Sequence, residues 1–368
     1  MYLQIPSIHK EQSHFRNEVL LKKPKFNIGL SADFYDENGI TLYEDIGLGI
    51  FEKFRHITIS KFAQNKKEIT SDQLSGLNVA YVLSPSVTAD SIKENEKQLL
   101  AISRFGVGYD NVDVQACTAN AVLVLISEGA VNRSVAEATI TWMLALTHHV
   151  FDKDRLVRTG MWNDRNQFMG SELREKTLGV IGFGGIGKAL VNLLNGFGMK
   201  KAIVFDPNLN PEICAKYGVI YEEHLEKLLI KSDFVSIHCP LNKETHGLIS
   251  SQQLKLMKPT AYLLNLSRGG IVDEEALHDA LLNHKISGAA IDCFESEPIT
   301  SPHRFGKLDN VILAPHSIAW TNELFRDIGK TACSGILDLS LGKRPKGVVN
   351  PEVFENPKFN AKWAKFVA

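Results

Sequence analysis

The chain has 368 residues, enough for two domains that each bury a core of their own, and its 44% hydrophobic and 23% charged composition excludes a disordered polar tail or a small disulfide scaffold. Lys plus Arg (41) nearly cancels Asp plus Glu (42), so no basic excess draws the protein onto nucleic acid or an anionic membrane surface. Five cysteines (Cys117, Cys214, Cys239, Cys293, Cys333) contain no CxxC pair, which fits neither a disulfide framework nor a zinc knuckle. A reducing cytoplasm is the expected compartment, and no metal site is read.

Residues 1–25 carry His9, Lys10, Glu11, His14 and Arg16 where an export signal needs an apolar core, and read as a polar extension. Short β-branched and apolar runs then alternate with helical patterns, the signature of parallel sheets with crossover helices, so the class is α/β. Strands are expected at 26–31, 79–84, 99–105 and 121–126, with an amphipathic segment at 89–98. The longest charge-free stretch, 73–89, is interrupted by Ser, Asn and Pro and is not expected to span a bilayer. Residues 134–158 read as one long helix, apolar in its first half and charged in its second, that bridges two domains. A second series of strands is expected at 178–181, 202–205, 234–239, 261–266, 288–294 and 311–314, enough for a doubly wound sheet. The helical tail at 322–341 is too short to form a domain and is expected to pack back on the first one. The expected division is therefore an extension 1–25, a discontinuous domain 26–128 plus 317–368, and an inserted domain 129–316.

The strand at 178–181 runs directly into Gly182-Phe183-Gly184-Gly185-Ile186-Gly187, a GxGxxG that opens a helix. Gly182 permits the tight turn, Gly184 lets backbone N–H groups approach a pyrophosphate, and Gly187 allows close helix packing. A second strand ends at Asp206, 19 residues past Gly187, where a carboxylate accepts the ribose hydroxyls. Asp206 also repels a 2′-phosphate and no Arg follows it, so NAD is the expected cofactor. Its competing reading is a turn residue before Pro207.

Three ionisable residues end late strands of this series, where ligands bind in such folds: Arg268, Glu297 and His316. Beside a nicotinamide they supply an anion clamp, an orienting carboxylate and a proton donor, as hydride transfer to a carbonyl requires. Each alone has an ordinary structural reading, as a helix-start Arg, a solvated Glu before Pro and a satisfied strand-end His.

These motifs, with SRFGVGYDNVD, SVAEATITWMLAL, SDFVSIHCPLNKETHGLI, LNLSRGGIVDEEAL, GAAIDCFESEP and VILAPH, make the chain resemble the D-isomer-specific 2-hydroxyacid dehydrogenases over roughly residues 75–350. The resemblance implies a Rossmann-type doubly wound NAD-binding domain inserted in a flavodoxin-like substrate-binding domain. It implies that Arg268 binds the substrate carboxylate and carbonyl, that His316 is the general acid/base, and that Glu297 pairs with it. It further implies that Asp292 holds the nicotinamide carboxamide, and that Cys239, Pro240, Thr245 and Ser267 line the cofactor. Ser84, Phe105 and the backbone N–H groups of Val107 and Gly108 are the implied substrate contacts, a glycine-flanked turn being a reasonable anion nest but equally a plain strand-to-helix turn.

The segment 83–88 has no Arg or Lys where a phosphorylated substrate would need one, which argues against phosphoglycerate. Trp320 either walls a side-chain pocket or packs a helix start. Cys239 and Cys293 read as small apolar fillers rather than nucleophiles, and His148 and His149 as surface or interdomain residues rather than metal ligands. The family analogy implies a homodimer paired through 134–175, with Trp142 and Trp162 as contacts. The expected activity is reduction of a small 2-oxo acid to the D-2-hydroxy acid, or the reverse. A 2-imino acid reductase would use the same hydride donor and clamp, and an NAD-sensing corepressor would use the cofactor as ligand; both readings remain open at the level of sequence.

Overall fold

The computed structural model describes residues 24–95 and 97–367, so the extension read at 1–25 lies almost wholly outside the described residues. Two compact units result: one runs up to Val131 and resumes at Thr321, and the other is Asn132–Trp320.

The first unit is built on a five-stranded parallel sheet in the order β2-β1-β3-β4-β5, the flavodoxin-like order. Its strands are β1 (Phe26–Leu30), β2 (Ile57–Lys61), β3 (Val79–Val82), β4 (Ala101–Arg104) and β5 (Leu123–Leu125). The central strands are buried on both faces and read as apolar runs, as parallel strands must. β2, absent from the expected strands, is a correction: its sequence ITISK lies exposed at the sheet edge, so it has no hydrophobic run to find. Helix Asn322–Ser340 belongs to this unit, with Leu324, Phe325, Ile328, Ala332, Ile336 and Leu339 on its buried face and Thr321 Oγ1 accepting from Leu324 N at its start (3.0 Å). Further along, Asn350 ties the tail to the sheet. Its Oδ1 accepts from Val124 N (2.8 Å), and its Nδ2 donates to Val122 O and Thr118 Oγ1 (both 2.9 Å).

The second unit carries a seven-stranded parallel sheet in the order β12-β11-β10-β9-β6-β7-β8. The strands are β6 (Leu178–Ile181), β7 (Ile203–Phe205), β8 (Ile220–Tyr221), β9 (Phe234–Ile237), β10 (Tyr262–Asn265), β11 (Gly288–Ile291) and β12 (Val311–Leu313). Read from β6, this is the doubly wound Rossmann order with one further strand, and the order reverses between β6 and β9. The expected six strands become seven because β8 is two exposed residues long. No helix of the described residues is long and apolar enough to cross a membrane.

The single helix expected at 134–158 is two, Asn132–Thr147 and Val150–Arg158, both in the second unit. The break falls at His149, whose φ of 52° is left-handed, and the Thr147 carbonyl accepts from Ser171 N (2.9 Å) rather than continuing the helical ladder. Trp142 is another correction: at 1% exposure it fills the core with Met143, Leu178 and Val180 and cannot meet a partner chain. Helix Asn132–Thr147 packs on helix Gly185–Leu193, which opens directly from the glycine loop.

Replacing Asn350 (1% exposed) by Ala strands the buried Val124 N–H and Val122 C=O without partners. The expected loss is about 3 kcal/mol, read as a lower urea midpoint at unchanged slope.

Candidate functional site

The glycine loop sits where the strand order reverses. Gly182 has a φ of 88°, and a Cβ on it would lie 2.6 Å from Cys239 N, so the ends of β6 and β9 meet backbone to backbone. A Cβ on Gly187 would lie 2.8 Å from Gly182 O, which requires glycine for the helix to start this close to the strand. At Gly184 the same Cβ would meet nothing within 4 Å. The loop is therefore tight beneath and open above, at the N-terminus of helix Gly185–Leu193, a fit for a pyrophosphate. The Asp206 carboxylate is held rigidly, with Oδ2 accepting from Phe183 N and Oδ1 from Asn208 N (both 2.8 Å). A carboxylate has about four acceptor sites, so capacity for ribose hydroxyls remains. Thr245 Oγ1 donates to Pro240 O (2.6 Å) and accepts from Asn242 N (2.8 Å), shaping the loop after β9. Burial pushes the neighbouring Cys239 thiol up to about 11, leaving it protonated.

Arg268, Glu297 and His316 follow β10, β11 and β12, adjacent strands of the same sheet. Asn265 shapes the first turn: its Nδ2 donates to Arg268 O (2.9 Å), and its Oδ1 accepts from Ser267 N (3.2 Å) and Ser267 Oγ (2.9 Å). Arg268 donates through Nη1 to Ser267 O (2.6 Å). A Cβ on Gly269 would fall 1.8 Å from Phe294 O, so this turn packs directly on the loop that carries Glu297. His316 has a left-handed φ of 53°, and Asp292 holds that conformation. His316 N donates to Asp292 O (2.8 Å), while Ser317 N (2.8 Å) and Ile318 N (3.3 Å) donate to its Oδ1. Burial lifts the Asp292 carboxyl above its usual range, against the pull of those N–H groups.

His316 Nδ1 and Glu297 Oε2 are 2.7 Å apart, and Glu297 Oε1 accepts from Phe294 N (2.8 Å). Burial raises the Glu297 carboxyl, but the hydrogen bonds from His316 and Phe294 N and the charges of His316 and Arg268 outweigh it, leaving Glu297 below the ordinary carboxylate range. An ionised Glu297 only accepts, so Nδ1 carries the proton and Nε2 is the nitrogen left for chemistry. Cys293, read as a filler, belongs to this cluster: its Sγ, a Glu297 oxygen and a His316 ring nitrogen all lie within 4.8 Å of one another.

In the first unit, Phe105 is buried among Phe34, Tyr43, Tyr81 and Phe325. Gly106 (φ 137°) turns the chain so that the half-buried Val107 and Gly108 present N–H groups with no hydrogen-bond partner among the described residues. Ser84 N donates to Asp33 Oδ2 (2.8 Å). Trp320 is 54% exposed at the end of the second unit.

Sequence reading passed over Asn265, Glu274, His303 and His238. Glu274 (8% exposed) accepts from Glu295 N (2.7 Å), and its own N–H donates to Glu295 Oε1 (3.1 Å). His303 Nε2 lies 3.2 Å from Glu274 Oε2, and Nδ1 accepts from Phe305 N (3.4 Å). These contacts brace the loop carrying Glu297, and only the Asp273-Glu274-Glu275 helix start signals them in the sequence. His238 Nε2 pairs with Ser236 Oγ (2.8 Å) while Nδ1 is buried without a partner, and burial depresses the ring to about 4, so it stays neutral.

Residues 140–317 match the family model of the NAD-binding domain of D-isomer specific 2-hydroxyacid dehydrogenases. A glyoxylate reductase of Thermococcus litoralis is 34% identical, covering 83% of this chain and 94% of its own length. A D-3-phosphoglycerate dehydrogenase of Methanocaldococcus jannaschii is 38% identical over 77% of this chain and 54% of that protein. The crystal structure of a glyoxylate reductase from Paecilomyes thermophila superimposes with a TM-score of 0.75 at 25% identity, covering 89% of this chain and 99% of that one.

The depressed Glu297 carboxyl gives a stability term that is full above its unfolded value of about 4.3 and is lost as pH falls through the lower folded value. Glu297→Gln should lower the denaturation midpoint in the neutral region and flatten the acid limb, the two proteins converging at low pH. Superimposable acid limbs for the two proteins would contradict the ionised pair.

Proposed function

The chain belongs to the D-isomer specific 2-hydroxyacid dehydrogenase family, NAD-dependent enzymes that reduce 2-oxo acids, and on that premise we propose that it reduces a small unphosphorylated 2-oxo acid of the glyoxylate class. The observation that carries this reading is the His316–Glu297 pair at 2.7 Å, set one strand away from Arg268. NADH, when bound, supplies the hydride. The Gly182–Gly187 loop, with Phe183, Gly185 and Ile186, receives the pyrophosphate. Asp206 accepts the ribose hydroxyls, and Cys239, Pro240, Thr245, Ser267 and Asp292 contact the nicotinamide half. Arg268 holds the carboxylate and polarises the carbonyl, and His316 delivers its proton through Nε2 while Glu297 holds the ring at Nδ1.

The flavodoxin-like unit is the proposed substrate-binding domain, with the N–H groups of Val107 and Gly108 receiving a carboxylate beside Ser84 and Phe105; Trp320, which ends the other unit, is proposed separately as a substrate contact. A phosphorylated substrate is disfavoured, since 83–88 offers no cation and Ser84 N is bonded to the Asp33 carboxylate. A homodimer fits the exposed apolar side chains of Val150, Phe151, Val157, Met161, Trp162 and Met169. Five free cysteines suit a cytoplasmic home.

Steady-state NADH oxidation over a panel of 2-oxo acids, with and without ammonium, tests the reading. Turnover is expected with glyoxylate and other short acids alone; turnover only with ammonium would reassign the protein to imino acids, and none at all would leave a cofactor-binding role. Arg268→Lys should raise the KM for the acid and lower kcat without changing NADH affinity. His316→Ala should cost on the order of 10²–10⁴-fold in turnover while NADH still binds by calorimetry.

Asp206 should make NADH preferred to NADPH. Asp206→Ala should narrow the preference by about tenfold, about 1.4 kcal/mol, chiefly through weaker NADH binding. Equal catalytic efficiency of the parent with both cofactors would refute the assignment.

A further inference from the structure

We propose that Cys293, Glu297 and His316 form an inhibitory site for a thiophilic divalent cation of the Zn2+ type. A thiol, a carboxylate and an imidazole are the donor set of three-ligand zinc sites, which leave the fourth position open. Here the three donor atoms already lie within 4.8 Å of one another. Zinc–ligand bonds of about 2.0–2.3 Å correspond to donor separations of roughly 3.3–3.8 Å in a tetrahedron, so each atom has to move by about 1 Å at most. The backbone is fixed for it. Cys293 and Glu297 share the loop that Glu274 and Gly269 brace, and His316 stands on the turn locked by Asp292. Access is from the side of His316 and Glu297, whose side chains are 43% and 35% exposed, while Cys293 is buried behind them. A hard cation such as Mg2+ prefers six oxygen ligands and finds one carboxylate here.

Before binding, Cys293 Sγ–H donates to Ser267 O (3.3 Å) and His316 Nδ1–H to Glu297 Oε2 (2.7 Å). On binding, Sγ, Oε2 and Nδ1 become ligands, the thiol proton leaves to solvent, and the imidazole proton moves from Nδ1 to Nε2. With Nδ1 held by the metal, His316 can neither accept a proton at Nε2 nor release one, so turnover stops in both directions. The inhibition, though not the binding, rests on the acid/base role proposed for His316.

The test titrates the full-length protein with Co2+ as a spectroscopic stand-in, and with Zn2+ by calorimetry and in the NADH-oxidation assay. Expected are tetrahedral cobalt bands with a thiolate-to-cobalt charge-transfer absorption, their displacement by Zn2+, and loss of turnover reversed by a chelator. Cys293→Val should lose the charge-transfer band and weaken Zn2+ binding at least tenfold; if that variant fails to fold, Cys293→Ser is read the same way. A cobalt spectrum lacking the thiolate band, unchanged zinc affinity in the Cys293 variants, or equal inhibition by Mg2+ overturns the site. Thiolate-ligated metal without inhibition would leave the site standing and instead remove His316 from acid/base chemistry.

Discussion

The candidate site depends on one buried carboxylate. Asp292 ends β11 and accepts from the backbone of Ser317 and Ile318, while its carbonyl takes His316 N. A non-glycine residue in the left-handed region costs on the order of 1 kcal/mol or more and persists only where its surroundings impose it. Asp292 imposes it, and the turn swings the His316 ring to meet Glu297. One carboxylate thus fixes the backbone of the histidine and another fixes its ring.

A second constraint is the close approach of loops that follow adjacent parallel strands. Such strands lie about 4.8 Å apart, so residues at their C-terminal ends converge without any long-range device. The contact of Gly269 with Phe294 O and that of Gly182 with Cys239 N show how close the chain ends come. Glycine at these positions serves backbone packing first. At Gly184, by contrast, a Cβ would meet only open space.

Much of this was legible because it is local. The glycine loop, the carboxylate ending β7 and the strand-end placement of Arg268, Glu297 and His316 follow from hydrophobic runs and turn residues read in order. What escaped reading depends on partners distant in sequence. β2 and β8 are edge strands with no apolar run, so only their neighbours reveal them. The break at His149 arises because Ser171 captures the Thr147 carbonyl, more than twenty residues away. Trp142 lies on an apolar helix face that could equally have served a partner, and its burial is decided by strands β6 and β9. Cys293 looked like a filler because neither its spacing to Glu297 nor to His316 is a familiar ligand pattern.

The discontinuity of the first unit bears on how the chain folds as it is synthesised. Its last strand, β5, donates a hydrogen bond from Val124 N to Asn350 Oδ1, and helix Asn322–Ser340 covers the region of Tyr43 and Ile46. The inserted unit has all its strands once residue 313 has emerged, whereas the earlier-made sheet waits for residues more than two hundred positions after its own β5. The nucleotide-binding unit is thus positioned to finish first, although it is encoded second. During that interval the apolar residues of β3, β4 and β5 lack their C-terminal cover, which makes this half of the nascent chain the one most in need of protection from aggregation.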